Sequence, residues 1–189
     1  MTETPNPHII DADTMTGEMR PIRRAVLSFG SNLGDRLANL QGGLSALADT
    51  PDVWVQAVSP VYETEPVDSP EDAGQFLNAV VVVDTAVPAQ LMLERALVIE
   101  EAFGRERSNV TNEPRTLDID VIVVGDKIVE SPELTLPHPR VAARAFVLKP
   151  WSDIEPSAIV PGLGSVAELL AQVGEEGVTR RDDLVLELE

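Results

Sequence analysis

The sequence predicts an α+β fold built on a split βαβ unit. Four predominantly apolar runs, the last of them dominated by β-branched residues, are typical of strands, and two stretches with apolar residues at helical spacing are typical of helices. Up to Val124 the order is strand, helix, two strands, helix, strand, which is the order of a split βαβ unit. The predicted strands are 25–29, 53–58, 75–84 and 115–124, and the predicted helices are about 35–47 and 88–103.

Length and composition restrict the class of protein. The 189 residues suit one domain, predicted at 23–174 between a flexible N-terminal tail, 1–22, and an acidic C-terminal tail, 175–189. The formal net charge of −18 disfavours nucleic acid and anionic membranes as partners. Without cysteine, thiolate metal sites and cysteine nucleophiles are excluded. The sequence has no run of roughly 18 apolar residues and no secretory-signal pattern, so we expect a cytoplasmic protein.

The first predicted strand leads into a glycine-containing turn. Gly30-Ser31-Asn32-Leu33-Gly34-Asp35 separates this strand from the first helix. The turn lacks the Gly-Lys-Ser/Thr ending of a P-loop and the spacing of a dinucleotide fingerprint. We interpret it as a tight strand-to-helix turn, so phosphoryl transfer by this protein would not be of the P-loop kind.

A long loop and a polar strand face follow the second strand. The second strand continues through 61–64, and the loop 65–74 contains prolines and several acids, as functional loops of this length often do. In the third strand Phe76 and Asn78 share one face, because strand side chains alternate. An aromatic ring therefore lies beside an amide, a pattern that ordinary core residues also produce.

The second predicted helix ends in acids and is followed by a charged segment. Glu100 and Glu101 lie in its last turn, where acids oppose the helix dipole by roughly a few tenths of a kcal/mol each. At least one of them is therefore a candidate for ligand binding. Residues 105–113 have no apolar periodicity and carry Arg105 and Arg107, as a mobile charged lid would.

The fourth predicted strand carries two carboxylates near its start. Asp118 and Asp120 share one face of the strand, which follows the strand-start signal Pro114. At about 5 Å and an effective dielectric constant of about 20, two carboxylates repel each other by roughly 3 kcal/mol. A positive group is therefore expected beside them. The residues expected to point into the opposite layer are Leu117, Ile119 and Val121.

Two kinds of cation could relieve this repulsion, a divalent metal or an arginine. Mg²⁺ is typically held by one or two carboxylates plus substrate phosphate oxygens, and arginines grip the remaining phosphate oxygens. From the aspartate pair alone, two carboxylates facing water would be the simpler interpretation, because Asp-x-Asp is common. The arginines nearby in sequence favour magnesium with phosphate, and they are Arg105, Arg107, Arg115, Arg140 and Arg144.

The segment after the fourth strand holds a histidine between two prolines. Gly125-Asp126 predicts a two-residue hairpin turn into 127–129. Pro137-His138-Pro139-Arg140 then leads into a short helix, and a buried segment is predicted from Phe146 to about Trp151. A lone histidine is usually structural. Its stiff surroundings and the nearby Arg140 and Arg144 favour a role facing phosphate.

Four motifs occur in a fixed order: Gly30-Ser31-Asn32-Leu33-Gly34, Phe76-Leu77-Asn78-Ala79, Pro114-Arg115-Thr116-Leu117-Asp118-Ile119-Asp120 and Pro137-His138-Pro139-Arg140. Together they resemble the 6-hydroxymethyl-7,8-dihydropterin pyrophosphokinase family of folate biosynthesis, from Arg24 to about Pro161. The resemblance implies a diphosphokinase that transfers diphosphate from ATP to the hydroxymethyl group of the pterin and releases AMP. It also implies a mostly antiparallel sheet with a ferredoxin-like core between helix layers.

The resemblance implies roles for the residues at matching positions. Asp118 and Asp120 would hold two Mg²⁺ ions that bridge the co-substrate ATP and activate the acceptor hydroxyl, and Arg105 and Arg107 on the lid would hold phosphates during catalysis. The implied ATP-binding residues are Glu100, Arg115, Thr135, His138 and Arg144. The implied pterin-binding residues are Thr64, Val67, Phe76, Asn78 and Phe146, with the two phenylalanines stacking on the pterin rings.

The chain departs from the family pattern in three places. Asn112-Glu113 stands where many members have Trp-Gly, which removes an aromatic ring that closes over the pterin and adds an acid near the triphosphate. Pro139 stands where tyrosine is frequent, and Glu133 where a basic residue is frequent. These departures concern substrate affinity and lid closure more than the reaction.

Two other functions fit part of the pattern. One is a catalytically inactive ferredoxin-like module that binds a nucleotide or another ligand and has solvent-facing aspartates. This alternative would not explain why arginines, histidine and aspartates are clustered in one segment of the sequence. A nucleotidyltransferase that uses Asp-x-Asp with two metals would release pyrophosphate instead of AMP. We favour the pyrophosphokinase, as a monomer that acts on small molecules and has no nucleic-acid or membrane partner.

Overall fold

The computed structural model describes residues 11–12, 19–66, 74–104 and 114–188. Its elements follow the predicted order of strands and helices, with several short strands added. In chain order they are β1 (Asp11–Ala12), β2 (Met19–Arg20), β3 (Arg23–Ser31), α1 (Arg36–Ala48), β4 (Val53–Val58), β5 (Tyr62–Thr64), β6 (Phe76–Thr85), α2 (Ala89–Ala102), β7 (Asp118–Val124), β8 (Val129–Glu130), β9 (Thr135–Leu136), a 3-10 turn (Val141–Ala143), α3 (Ala145–Ile154), β10 (Ile159–Val160), β11 (Gly164–Ser165), α4 (Val166–Val173) and β12 (Val178–Arg180).

Across the described residues, six strands form one antiparallel sheet in the order β12-β5-β6-β3-β7, with β4 also paired to β6. The unit β3-α1-β4-β6-α2-β7 therefore has the spatial order β7-β3-β6-β4. This is the fourth, first, third and second strand of the unit, as in a ferredoxin-like core. The predicted α+β fold class is confirmed.

Helices cover both faces of the sheet. One core lies on the face under α1 and α2 and contains Leu27 and Phe29 of β3. The other lies under α3 and α4 and contains Val26, Val82 and Trp151. Strand alternation assigns neighbouring residues of β3 to opposite cores. The prediction that three residues around the aspartates point into one layer is confirmed, because the first core contains Leu117, Ile119 and Val121.

The hairpin predicted after β7 is wrong. Gly125 and Asp126 do form a turn, but the strand that follows, β8, pairs with β9 and not with β7. This local pairing places Val129 against the first core, where Leu134 and Leu136 are buried. Burial of these three apolar side chains therefore favours the β8–β9 pairing over a return along β7.

Both predicted tails contain short strands. In the N-terminal tail, β1 pairs with β2, and residues 1–10 and 13–18 lie outside the described residues. In the C-terminal tail, β12 at Val178–Arg180 pairs with β5. Farther on, the Gln41 amide exchanges two hydrogen bonds with the backbone of Glu187. The domain boundaries themselves stay predictions.

Gly43 lets α1 approach β3 closely. A Cβ atom at this position would lie 2.8 Å from Leu117 Cδ2 and 3.1 Å from Phe29 Cε1. Both neighbours are fully buried, at 0% and 1% exposure, so neither can move aside easily.

We expect Gly43→Ala to lower the free energy of unfolding by about 1–3 kcal/mol, because the added methyl group overpacks the core. At an open helical position the same change would stabilise by roughly 0.5–1 kcal/mol, so the sign of the effect is the test. Urea denaturation measures it, with Ser45→Ala on the same helix as a control. A stabilised Gly43→Ala variant would show that α1 does not lie this close to the sheet.

Candidate functional site

Polar side chains line up across one end of the sheet, on the face that α3 and α4 cover farther along. Gly30 of β3 pairs with Asp118 of β7 on one side and with Asn78 of β6 on the other. Tyr62 of β5 pairs with Asn78 in turn. Residues that pair directly across an antiparallel sheet share a face, so one row contains a carboxylate, a glycine, an amide and a phenol.

Each aspartate of β7 has an arginine beside it. Arg115 Nη1 donates to Asp118 Oδ2 at 2.8 Å, and Arg144 Nη1 donates to Asp120 Oδ2 at 2.5 Å. The aspartate side chains keep 21% and 31% of their surface exposed. The expected positive groups are therefore arginines, and both carboxylates stay accessible to a ligand.

His138 lies beside Asp120. Its Nε2 is 3.8 Å from Asp120 Oδ2, too far for a hydrogen bond, and its Nδ1 accepts a hydrogen bond from the Arg140 backbone N–H at 3.1 Å. Because Nδ1 accepts, the proton of the neutral ring is on Nε2, on the side of Asp120. Burial lowers the pKa of His138. The negative charge of Asp120 raises this pKa, and the positive charges of Arg144 and Arg140 lower it further.

A second polar group lies two strands away from the aspartates. Asn78 is 3% exposed, and its Nδ2 donates to Thr64 Oγ1 at 2.8 Å. A Cβ atom at Gly30 would lie 3.4 Å from Asn78 Oδ1 and 3.6 Å from Phe76 Cδ1. Gly30 thus leaves an uncovered stretch of backbone between the amide and the aspartates, with a half-buried phenylalanine beside it.

Phe146 and Thr135 lie on elements that follow β7. Phe146 is half-buried at the start of α3, and the Arg144 guanidinium carbon is 5.5 Å from its ring centroid, within cation–π range. Arg144 therefore contacts both the Phe146 ring and the Asp120 carboxylate. Thr135 is half-buried on β9, where it pairs with Glu130. Its predicted contact with the nucleotide stays a prediction.

Glu100 lies behind the aspartates and not among them. It is 1% exposed, and its Oε1 accepts a hydrogen bond of 2.7 Å from the backbone N–H of Ile119. Ile119 is the residue between the two aspartates. The carboxylate therefore holds β7 from the α2 side, and binding of the nucleotide by Glu100 stays a prediction.

Sequence reasoning gave no site role to Asn32. Its Oδ1 accepts from the Arg115 backbone N–H at 2.7 Å, and its own N–H donates to the Arg115 carbonyl at 3.0 Å. This pair of bonds fixes the chain immediately before the aspartates to the turn after β3. The one sequence signal near Asn32 was Gly30, because a glycine within a strand often marks a place where a ligand or another backbone segment comes close.

Several predicted residues fall outside the part of the chain that the structure describes, and they are Val67, Arg105, Arg107, Asn112 and Glu113.

The other two departures from the family pattern, Glu133 and Pro139, are described. Both are exposed, so they lie at the surface.

A separate cleft of about 560 Å³ opens near the other end of β3. Its polar side chains pair with one another: Arg24 Nη1 donates to Glu155 Oε1 at 2.7 Å, and Trp151 Nε1 donates to Glu155 Oε2 at 3.0 Å. Among the described residues that line it, the cleft therefore presents no carboxylate pair and no unsatisfied cation for phosphate chemistry. We place the site at the aspartates.

The described residues contain no group of three or more histidine or acidic side chains placed to hold a metal ion. Two carboxylates alone would leave most of a hard cation's coordination to other oxygens, which phosphates supply. The site can thus bind a metal–phosphate group at the aspartates and a flat hydrogen-bonding group at Asn78.

The described helices include none long and apolar enough to cross a membrane.

Comparison with known proteins gives consistent matches. The family model described as 7,8-dihydro-6-hydroxymethylpterin-pyrophosphokinase (HPPK) matches residues 26–156. A protein of Pseudomonas aeruginosa named 2-amino-4-hydroxy-6-hydroxymethyldihydropteridine pyrophosphokinase is 36% identical over 159 residues, which cover 84% of this chain and 97% of that protein. A protein of Methylorubrum extorquens with the same name is 41% identical over 157 residues, covering 83% of this chain and 98% of that protein.

Solved structures agree on the fold. A wild-type Plasmodium falciparum HPPK-DHPS crystal structure with pteroate matches with a TM-score of 0.62 at 16% identity, over 86% of this chain and 46% of that chain. This chain thus spans about half the length of that protein. At this identity the likeness concerns the fold alone.

We expect Glu100→Ala to lower the free energy of unfolding by about 1–3 kcal/mol, because it leaves the Ile119 N–H buried without its acceptor. Glu100→Gln keeps a side-chain carbonyl and should cost less. Urea denaturation measures both. Glu101→Ala, at the exposed neighbouring position, is the control and should change stability by less than about 0.5 kcal/mol. Equal effects at the two positions would contradict the structural role of Glu100.

We expect the His138 imidazole to titrate below its usual pKa of 6.5. The folded state then binds this proton less tightly than the unfolded state. The folded protein is therefore most stable with a neutral His138 ring. This contribution to the free energy of unfolding is complete above pH 6.5 and is lost as the pH falls below that value. NMR titration measures the midpoint, and His138→Gln identifies which of the two histidine signals belongs to it. A midpoint at or above 6.5 would contradict the statement that burial lowers the pKa of His138.

Proposed function

The chain belongs to the 7,8-dihydro-6-hydroxymethylpterin-pyrophosphokinase family, and from this premise we propose that its site transfers diphosphate from ATP to 6-hydroxymethyl-7,8-dihydropterin in folate biosynthesis. The pterin hydroxymethyl oxygen attacks the β-phosphorus of ATP, the bond from that phosphorus to the α–β bridging oxygen breaks, and AMP leaves with the oxygen. The hydroxyl proton is released. The observation that carries the proposal is the row of Asp118, Gly30 and Asn78 across three neighbouring strands.

Asp118 and Asp120 fit a magnesium site. Their oxygens are hard donors, both side chains stay partly exposed, and each is already paired with a cation. Two carboxylates with phosphate oxygens completing the coordination suit two Mg²⁺ ions bound together with ATP. When bound, the metal neutralises phosphate charge and lowers the pKa of the acceptor hydroxyl.

Arginine and histidine side chains complete the nucleotide side. Arg115 and Arg144 would hold phosphate oxygens if a metal took their place at the aspartates, because guanidinium forks bind such oxygens well. His138 presents Nε2–H on the same side and donates to a phosphate or ribose oxygen. Arg105 and Arg107, predicted to hold phosphates from the lid, complete the set of cations.

The pterin side uses the other end of the row. The Asn78 amide and the backbone near Thr64 and Val67 read the hydrogen-bonding edge of the pterin, while Phe76 and Phe146 stack on its rings. Strands in a sheet lie about 5 Å apart, so Asn78 and Asp118 are roughly 10 Å apart across Gly30. A two-ring pterin bound at Asn78 can therefore direct its hydroxymethyl group toward the aspartates.

Product analysis tests the proposal. Purified protein mixed with ATP, Mg²⁺ and 6-hydroxymethyl-7,8-dihydropterin should form AMP and the pterin diphosphate one for one, as measured by ³¹P NMR or chromatography. Binding of ATP without AMP would contradict the proposal and favour an inactive nucleotide-binding module. Release of pyrophosphate would favour a nucleotidyltransferase. The cytoplasmic location and the monomeric state stay predictions.

In the same assay, Asp118→Asn and Asp120→Asn should each lower turnover on the order of hundreds- to thousands-fold, through loss of metal-assisted charge stabilisation. Asp84→Asn is the matched control. Asp84 of β6 is a carboxylate on the same sheet, 17% exposed and paired with Arg24, but it lies at the end of the sheet away from Asp118 and Asp120. Turnover near that of the control in either aspartate variant would contradict the metal assignment.

A further inference from the structure

The strand that carries Thr64 is short and depends on its neighbours for its position. β5 has three residues, and Thr64 at its end accepts the hydrogen bond from Asn78. On the site face, the Tyr62 hydroxyl donates to Asp153 Oδ2 of α3 at 2.5 Å. Burial raises the pKa of Tyr62, and the bond to Asp153 adds to it, so this hydroxyl stays protonated. The site face of β5 is therefore attached to α3.

On the opposite face, Glu63 lies between two arginines from distant parts of the chain. Arg36 Nη1 at the start of α1 is 2.9 Å from Glu63 Oε2, and Arg181 Nη1 after β12 is 3.0 Å from Glu63 Oε1. The glutamate side chain is 18% exposed and each arginine is 29% exposed. Each carboxylate oxygen thus has its own guanidinium, in a partly shielded place.

Arg36 also reaches the next strand. The same Nη1 donates to the Gln75 carbonyl at 2.7 Å, and Gln75 directly precedes Phe76. One guanidinium therefore joins β5 at Glu63 to the start of β6. The two strands that carry the proposed pterin-binding residues are fixed to each other through this contact.

Arg181 connects the same glutamate to the C-terminal segment. β12 pairs with β5 so that Val178 lies opposite Thr64, and the Arg181 N–H donates to the Val61 carbonyl at 2.9 Å. The other guanidinium nitrogens of Arg181 donate to Asp183 at 2.9 and 2.8 Å, which holds the group in place. This segment lies beyond the 26–156 matched by the family model.

We propose that Glu63 is a positioning residue for the pterin side of the site. Held between Arg36 and Arg181, it fixes β5 against β6 and β12, so that Thr64 Oγ1 stays within hydrogen-bond distance of Asn78. This inference rests on the proposed function only because it names the pterin as the ligand that binds more weakly when Glu63 is replaced. Glu63 itself points to the α1 face and touches no substrate.

The test compares Glu63→Gln and Arg181→Gln with Arg24→Gln as the matched control. Arg24 also pairs with two carboxylates, Asp84 and Glu155, but near the other end of β3. In both test variants the KM for the pterin should rise about three- to fivefold, as expected for a partly exposed ion pair. The KM for ATP and kcat should stay within about twofold of wild type, and the double variant should be no worse than the worse single variant.

A second readout does not depend on catalysis. The side-chain amide signal of Asn78 in ¹⁵N NMR reports its hydrogen bond to Thr64, and it should shift in both test variants but not in Arg24→Gln. An unshifted signal, or equal rises in KM for ATP and pterin, would overturn the inference. Absence of AMP formation by the wild type would refute the proposed function instead, and the Asn78 signal would still decide whether Glu63 positions β5.

Discussion

The register of β3 between β6 and β7 is the constraint on which the whole site depends. Gly30 lies between Asn78 and Asp118 only in this register. A slip by one residue would turn the Phe29 ring, which is 1% exposed, from the core under α1 and α2 to the site face. Exposing a fully buried phenylalanine side chain costs about 1.5–3 kcal/mol, a substantial part of a domain's stability. Core packing on one face of the strand thus fixes the functional geometry on the other.

The electrostatics of the site combine a strongly acidic chain with local positive charge. A net charge of −18 repels polyanions in general. Under the proposed function, the arginines beside Asp118 and Asp120 supply the local attraction for ATP. Their ion pairs with the aspartates are partly exposed and therefore weak. Fully buried pairs would be costly to break. Under the proposed function, pairs this weak let the carboxylates exchange a guanidinium for a metal cation and the guanidiniums exchange a carboxylate for phosphate.

Local patterns predicted the fold class and the parts of the site that lie on regular elements. Alternation placed Asp118 and Asp120 on one face and Ile119 on the other, because this needs only the strand period. The contacts of Glu63 and Asn32 could not be predicted, because their partners are distant in sequence. The hairpin after β7 was predicted wrongly for a related reason: turn residues indicate where a chain bends, but burial of Leu134 and Leu136 decides which strand pairs next.

A β-bulge explains how His138 comes to lie beside Asp120. In the β3–β7 ladder, Val26 pairs with Val123 and Leu27 with Val121, which leaves Ile122 outside the pairing. An extra residue of this kind has a carbonyl that the ladder does not use. The Ile122 carbonyl accepts the His138 backbone N–H at 2.8 Å, so the segment from β9 is attached to β7 two residues from Asp120. The irregularity in the strand therefore sets the place of the histidine, while the Ile122 side chain is still buried under α3 and α4.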